Sequence, residues 1–229
     1  MKKILTAIVC AALVLSGCGN MNNLAKGSAI GGGSGAALGA GVGALIGKDG
    51  KGAAIGAAIG TAVGAGVGAL IGNKMDKKAE ELAAQLEDAN VEIVTDANDL
   101  KAIKVTFDSG ILFPTNGTTL NAESKTSLSK FSKDMADMPD TDLTILGHTD
   151  NTGTAEVNER ISLQRAQSVA AYLQSLGMGK DRMTVEGRSF TEPVADNATA
   201  EGRKQNRRVE VFITANEAMI QQAEAGNLK

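Results

Sequence analysis

Residues 143–153 read LTILGHTDNTG. Leu143–Gly147 is a short apolar run, which predicts a buried strand, and His148–Gly153 is rich in turn-forming residues. A long helical pattern follows to Leu176, with Ser162, Ala166, Val169, Ala170 and Leu173 as its core stripe and Gly177 as its stop. Strand, tight turn and helix in that order place a helix over a sheet, with a further strand expected at Arg182–Gly187.

Upstream, Lys101–Phe107 alternates as a strand, Asp108-Ser109-Gly110 is a turn, and Ile111-Leu112-Phe113 is expected to return as its hairpin partner. Pro114–Gly117 breaks the chain, and Asn121 or Ser124 caps a helix to about Met138, where Pro139-Asp140 stops it. The last strand is Arg207–Thr214. This order predicts an α+β domain over 91–214, a two-layer sandwich whose mixed sheet carries helices on one face. Residues 215–229 read as a loosely held tail, and 74–90 (with Leu82 and Leu86 amid mixed charges) as a helical spacer.

The front of the chain is of another kind. Of its 28 glycines, 17 lie between Gly27 and Gly72, and GAGVGALIG occurs twice, at 39–47 and 64–72. Glycines every fourth residue form a helical ridge, which suits close approach of two helices. Residues 27–73 are therefore expected as a Gly/Ala-rich helical hairpin turning at Lys48–Lys51. Two readings stand: a membrane-inserted or self-associating hairpin, and a flexible spacer. Before it, Met1-Lys2-Lys3, the apolar run Ile4–Leu15 and Leu15-Ser16-Gly17-Cys18 match a lipoprotein signal peptide over 1–17. Acylation at Cys18 and an acylated linker over 18–26 are expected, giving the multiple chains that stable membrane anchoring needs.

Composition narrows the chemistry. A formal charge of −3 leaves no basic stripe for nucleic acid, and no tryptophan with one tyrosine leaves no stacking platform. One histidine and no cysteine cluster provide no metal site, and neither a phosphate loop nor a dinucleotide fingerprint occurs, so no metal and no cofactor are expected. No serine stands in a nucleophile setting beside His148, so an enzyme is not expected.

What remains is a constellation at one sheet end: Thr149-Asp150 before the turn, then Asn158 and Arg165, two helical turns apart and nearly in line. An acid and a guanidinium held together suit a zwitterion, the acid meeting an ammonium and the fork a carboxylate. By the residues alone, the stronger expectation is that the two simply pair with each other.

Residues from about 100 to 214 resemble the OmpA-like peptidoglycan-binding domain of the OmpA and peptidoglycan-associated lipoprotein families and of flagellar stator proteins. The resemblance rests on TD-x-x-G, with Asn eight, Ser twelve and Arg fifteen residues after the Asp, then Asn206-Arg207-Arg208-Val209-Glu210. It implies that Asp150 binds the amino group and Arg165 the carboxylate of the diaminopimelate in the peptidoglycan stem peptide. Asn158 would orient the ligand, and Thr149 with the Asn206-Arg207-Arg208 strand start would line the pocket. One departure is Pro114, where the family usually has Asp; proline offers no backbone N–H there. Lipobox, glycine zipper and this domain together resemble YiaD-like outer-membrane lipoproteins. The implied protein is anchored in the outer membrane with its globular domain in the periplasm, tethering membrane to wall. The alternative is a membrane-active or self-associating glycine-zipper protein in which the wall domain only positions the assembly.

Overall fold

The computed structural model describes residues 65–108, 112–113 and 117–228. The signal peptide, Cys18, the 18–26 linker, the glycine hairpin up to residue 64, and Pro114 lie outside the described residues. Described elements are α1 (Ala65–Gln85), β1 (Ala89–Thr95), β2 (Lys101–Asp108), α2 (Ala122–Asp134), β3 (Thr141–Gly147), α3 (Ala155–Ser175), β4 (Met183–Gly187), α4 (Ala200–Asn206), β5 (Arg208–Ala215) and α5 (Glu217–Glu224).

The sheet runs β1-β2-β5-β3-β4 and is mixed: β3 pairs parallel with β4 and every other pairing is antiparallel. Strand alternation sorts its faces. Ile103, Val105 and Phe107 of β2 lie in register with Ile213, Val211 and Val209 of β5, and all six are buried beneath the helices. Leu143 and Ile145 extend this face into β3, and Leu128, Phe131, Val169 and Leu173 close it from α2 and α3. Phe131 meets Phe107 edge-on, with ring centroids 6.2 Å apart. The opposite face is polar at its β1–β2 end, where Lys104 pairs with Glu92 at 2.5 Å. The expected mixed sheet with helices on one face is the fold observed. Asn121 caps α2, accepting from Ser124 N, and Gly177, at φ +97°, follows α3 in the conformation that stops helices.

Three local expectations need correction. The partner of β2 in its hairpin is β1, not residues 111–113, because Leu112 is helical and its carbonyl is held by Asn121 N (3.2 Å) and Ser124 Oγ (2.6 Å) at the start of α2. The 74–90 segment is not a free spacer. It is mostly the second half of α1, which buries Ile71, Met75, Ala79, Leu82 and (just past its end) Leu86 in the domain core, a stripe spaced by threes and fours. Its buried Lys78 reaches Asp137 at 2.8 Å and Glu81 at 2.6 Å. Finally, 215–229 is no loose tail: Asn216 caps α5, which buries Met219, Ile220 and Ala223.

The end of the glycine ladder belongs to this packing. A Cβ on Gly72 would lie 3.3 Å from Lys101 Cδ, and one on Gly68 would lie 3.8 Å from Leu100 Cδ2. Gly72 is the tighter of the two, against the Lys101 side chain at the start of β2, while a methyl at Gly68 would make only ordinary contact. Among the described residues, no helix is long and apolar enough to cross a membrane.

Candidate functional site

Two glycines bring strand ends against a helix. Gly147 and Gly187 are partners across β3 and β4. A side chain on Gly147 would collide with the Ser162 carbonyl of α3, and one on Gly187 would come within 2.6 Å of Ser162 Oγ. The helix therefore sits directly on the ends of both strands. The chain leaving β3 stays tied to its neighbours: His148 N donates to Arg208 O (2.9 Å) and Thr149 N to Ser189 O (2.8 Å).

Asp150 then sits at the mouth of a tight turn. Its Oδ1 accepts from Thr152 N at 2.8 Å, an Asx turn, and Asn158 Nδ2 donates to Thr152 O at 3.0 Å. Asn158, buried on the first turns of α3, thus holds the turn that aims Asp150. Thr154 caps the same helix, accepting from Val157 N.

Arg165 lies two turns further along and is 5% exposed. Its Nε donates to Gly117 O at 3.1 Å, and its guanidinium carbon stands 5.4 Å from the Phe113 ring. Among the described residues its two terminal nitrogens donate to nothing and it forms no ion pair. Asp150 and Arg165 are therefore not paired with each other. The partner of Asp150 is Arg207, whose Nη1 donates to Asp150 Oδ2 at 2.5 Å.

One carboxylate and two guanidiniums feel one another here. Burial would raise the Asp150 carboxyl, but Arg207 and the Thr152 amide outweigh it and hold it below its ordinary value. Burial lowers the Arg165 pKa, the positive charge of Arg207 lowers it further, and Asp150 opposes both. With all three ionised, the cluster carries one surplus positive charge.

Two of the expected pocket residues are taken up elsewhere. Asn206 ends α4 rather than starting a strand. It is fully buried, accepting from Val194 N and Ala195 N and donating to Ala195 O and Asn197 Oδ1, all at 2.8–2.9 Å. Arg208 opens β5 and donates to Glu210 Oε1 at 2.8 Å and to Glu192 O at 3.1 Å. Both residues brace the 188–199 segment; only Arg207 of the three reaches Asp150. Thr149 is buried, with its hydroxyl unpartnered among the described residues.

His148 belongs to the Arg208 side. It is buried, with Nε2 3.5 Å from Glu210 Oε2 and neither ring nitrogen hydrogen-bonded, so the firm partner of Glu210 is Arg208. Burial lowers the imidazole's pKa and keeps it neutral. Burial works against the Glu210 charge too, but His148 and Arg208 beside it prevail and hold its carboxyl at about 2. Gly117, Phe113 and Thr152 were not anticipated. Gly117 and Thr152 act through backbone atoms, which carry no side-chain signature. A cavity of about 400 Å³ opens elsewhere, beside Lys74, Lys78 and Asp137, and holds none of the expected site residues. Among the described residues, no cluster of three His, Cys, Asp or Glu side chains could hold a metal ion.

Comparison with known proteins adds the following. Residues 112–207 match the OmpA family, and residues 1–76 match the YMGG-like Gly-zipper family. The chain is 37% identical over 107 residues to the outer-membrane lipoprotein YfiB of Pseudomonas aeruginosa, covering 47% of this chain and 64% of that one. It is 38% identical over 112 residues to the peptidoglycan-binding protein ArfA of Mycobacterium tuberculosis, covering 49% of this chain and 34% of that one. It thus spans less than two thirds of either relative. Among solved structures, the cell wall anchor of the type VI secretion system from Pseudomonas aeruginosa aligns with a TM-score of 0.52 at 31% identity, covering 62% of this chain and 97% of that one. The chain carries an OmpA family domain at residues 112–207, behind a segment of the YMGG-like Gly-zipper family.

Proposed function

We propose that the domain binds peptidoglycan without cleaving it, gripping the free amino-acid end of diaminopimelate in the stem peptide. Asp150 meets the ammonium, Arg165 meets the carboxylate, and Asn158 keeps the Asp150 turn in place. The observation that carries this reading is the Arg165 fork, almost wholly buried yet with both terminal nitrogens uncommitted to the described protein. A buried guanidinium gains most from a planar, bidentate partner. The naming of ArfA as peptidoglycan-binding and of the secretion-system structure as a cell wall anchor supports the same ligand. With lipid chains at Cys18 in the outer membrane, as the lipoprotein relative YfiB supports, the protein tethers membrane to wall. Each attachment raises the effective concentration of the other, so neither needs high affinity.

The test is co-sedimentation with purified sacculi. Asp150→Ala and Arg165→Ala are expected to move the protein from pellet to supernatant with an unchanged circular dichroism spectrum. Full retention of both variants on sacculi sinks the reading. A second reading, self-association through the front segment, is favoured by the Gly-zipper match and the duplicated GAGVGALIG. Crosslinking the full chain with and without Gly43→Leu separates it: oligomers lost in the variant support it, and monomers in both exclude it.

A further inference from the structure

We infer that Arg207 is a specificity residue of this site, a latch that covers Asp150 until a ligand carboxylate draws it away. The inference rests on the diaminopimelate reading above. Of the two oxygens of Asp150, Oδ1 is committed to the Thr152 amide and Oδ2 to Arg207. No oxygen is left wholly free for an incoming ammonium. The Asp150 side chain is 10% exposed while that of Arg207 is 37% exposed, so the latch is the solvent-facing member and the one free to move. An ammonium reaching Oδ2 displaces Arg207, whose charge then needs another partner.

The ligand's own carboxylate is that partner. Before binding, the Asp150–Arg207 pair is neutral and Arg165 holds the surplus positive charge. After binding, the ammonium offsets Asp150, and two guanidiniums face one carboxylate. A ligand presenting an amine without a carboxylate displaces Arg207 and leaves both guanidiniums uncompensated. The site therefore selects the zwitterionic end of diaminopimelate and discriminates against the same residue carrying a carboxamide. The same logic disfavours a lysine side chain, which is an amine alone.

The experiment measures binding by the full chain in detergent, by calorimetry, of two synthetic stem tripeptides ending in meso-diaminopimelate. One has the side-chain carboxylate free and the other has it as carboxamide. Wild type is expected to prefer the carboxylate form by roughly a hundredfold, two charge-assisted contacts at about tenfold each. In Arg207→Gln the preference shrinks to roughly tenfold, because carboxylate binding weakens while the carboxamide no longer has a latch to displace. Arg207→Lys, which keeps the charge without the fork, lies between. A preference unchanged within about twofold in Arg207→Gln overturns the latch and leaves the diaminopimelate site standing. Wild type binding neither peptide overturns the site and the latch together.

Discussion

Leu82→Ala asks whether α1 is part of the domain or only leads to it. Leu82 is fully buried between α1 and the rest of the core. Truncation removes three carbons, a transfer loss of about 2.4 kcal/mol at about 0.8 kcal/mol each. The cavity left behind raises the cost to about 3–4 kcal/mol, within the range of fully buried leucines. Against a typical domain stability of about 5–15 kcal/mol, that is a large fraction. Leu70, three turns earlier on the same helix and 42% exposed, is the internal control, with an expected cost of about 1 kcal/mol or less. Urea unfolding of the full chain followed by far-ultraviolet circular dichroism reads both. A Leu82→Ala midpoint no lower than that of Leu70→Ala would refute the packing of α1 onto the sheet.

Gly147→Ala drives a methyl into the Ser162 carbonyl and must lift α3 from the strand ends; a cost of at least about 2 kcal/mol is expected in the same urea assay, and a wild-type midpoint counts against so close a seat. Acid is expected to weaken the fold in two stages. Burial keeps His148 neutral, with its pKa below the ordinary 6.5, so its contribution is full above that value and is lost as the unfolded chain takes up a proton below it. The Glu210 carboxyl is lowered from 4.5 to about 2, so its contribution is present above 4.5 and disappears as pH falls toward 2. Urea midpoints at about pH 7.5, 5.5 and 3.5 should fall at each step, and His148→Gln should flatten the first and, because His148 is one of the two groups holding the Glu210 carboxyl down, shrink the second. Equal wild-type midpoints at the two higher values contradict a neutral buried imidazole.

Much of this fold is legible in the sequence because its central elements obey a single period. β3 carries the short, mostly apolar and wholly buried run Leu143–Gly147, α3 buries Ser162, Ala166, Val169, Ala170 and Leu173 as its spacing indicates, and Gly177 stops it where a left-handed residue is needed. Elements at the margins are less so. β1 is an edge strand whose residues are nearly all partly exposed, so alternation there is faint, and α4 is a single short polar turn-pair without an apolar face. α5 holds only three buried side chains among glutamines and glutamates. In the site, the line from Asn158 to Arg165 follows from helical geometry. The pairing of Asp150 with Arg207, 57 residues away, follows only from the antiparallel contact of β3 with β5. That contact also separates Arg207 from Arg208, since consecutive residues entering a strand turn to opposite sides.

The docking of α1 has a mechanical consequence. On the tethering reading proposed above, tension between membrane and wall would reach the domain through the front of α1 and peel the helix from that end, releasing Ile71, then Met75, then Leu82 before the strands. As a helix, the 21 residues span about 30 Å; pulled straight, they extend to about 75 Å. The domain thus stores about 45 Å of slack, paid out one helical turn at a time and rewound when the strain relaxes.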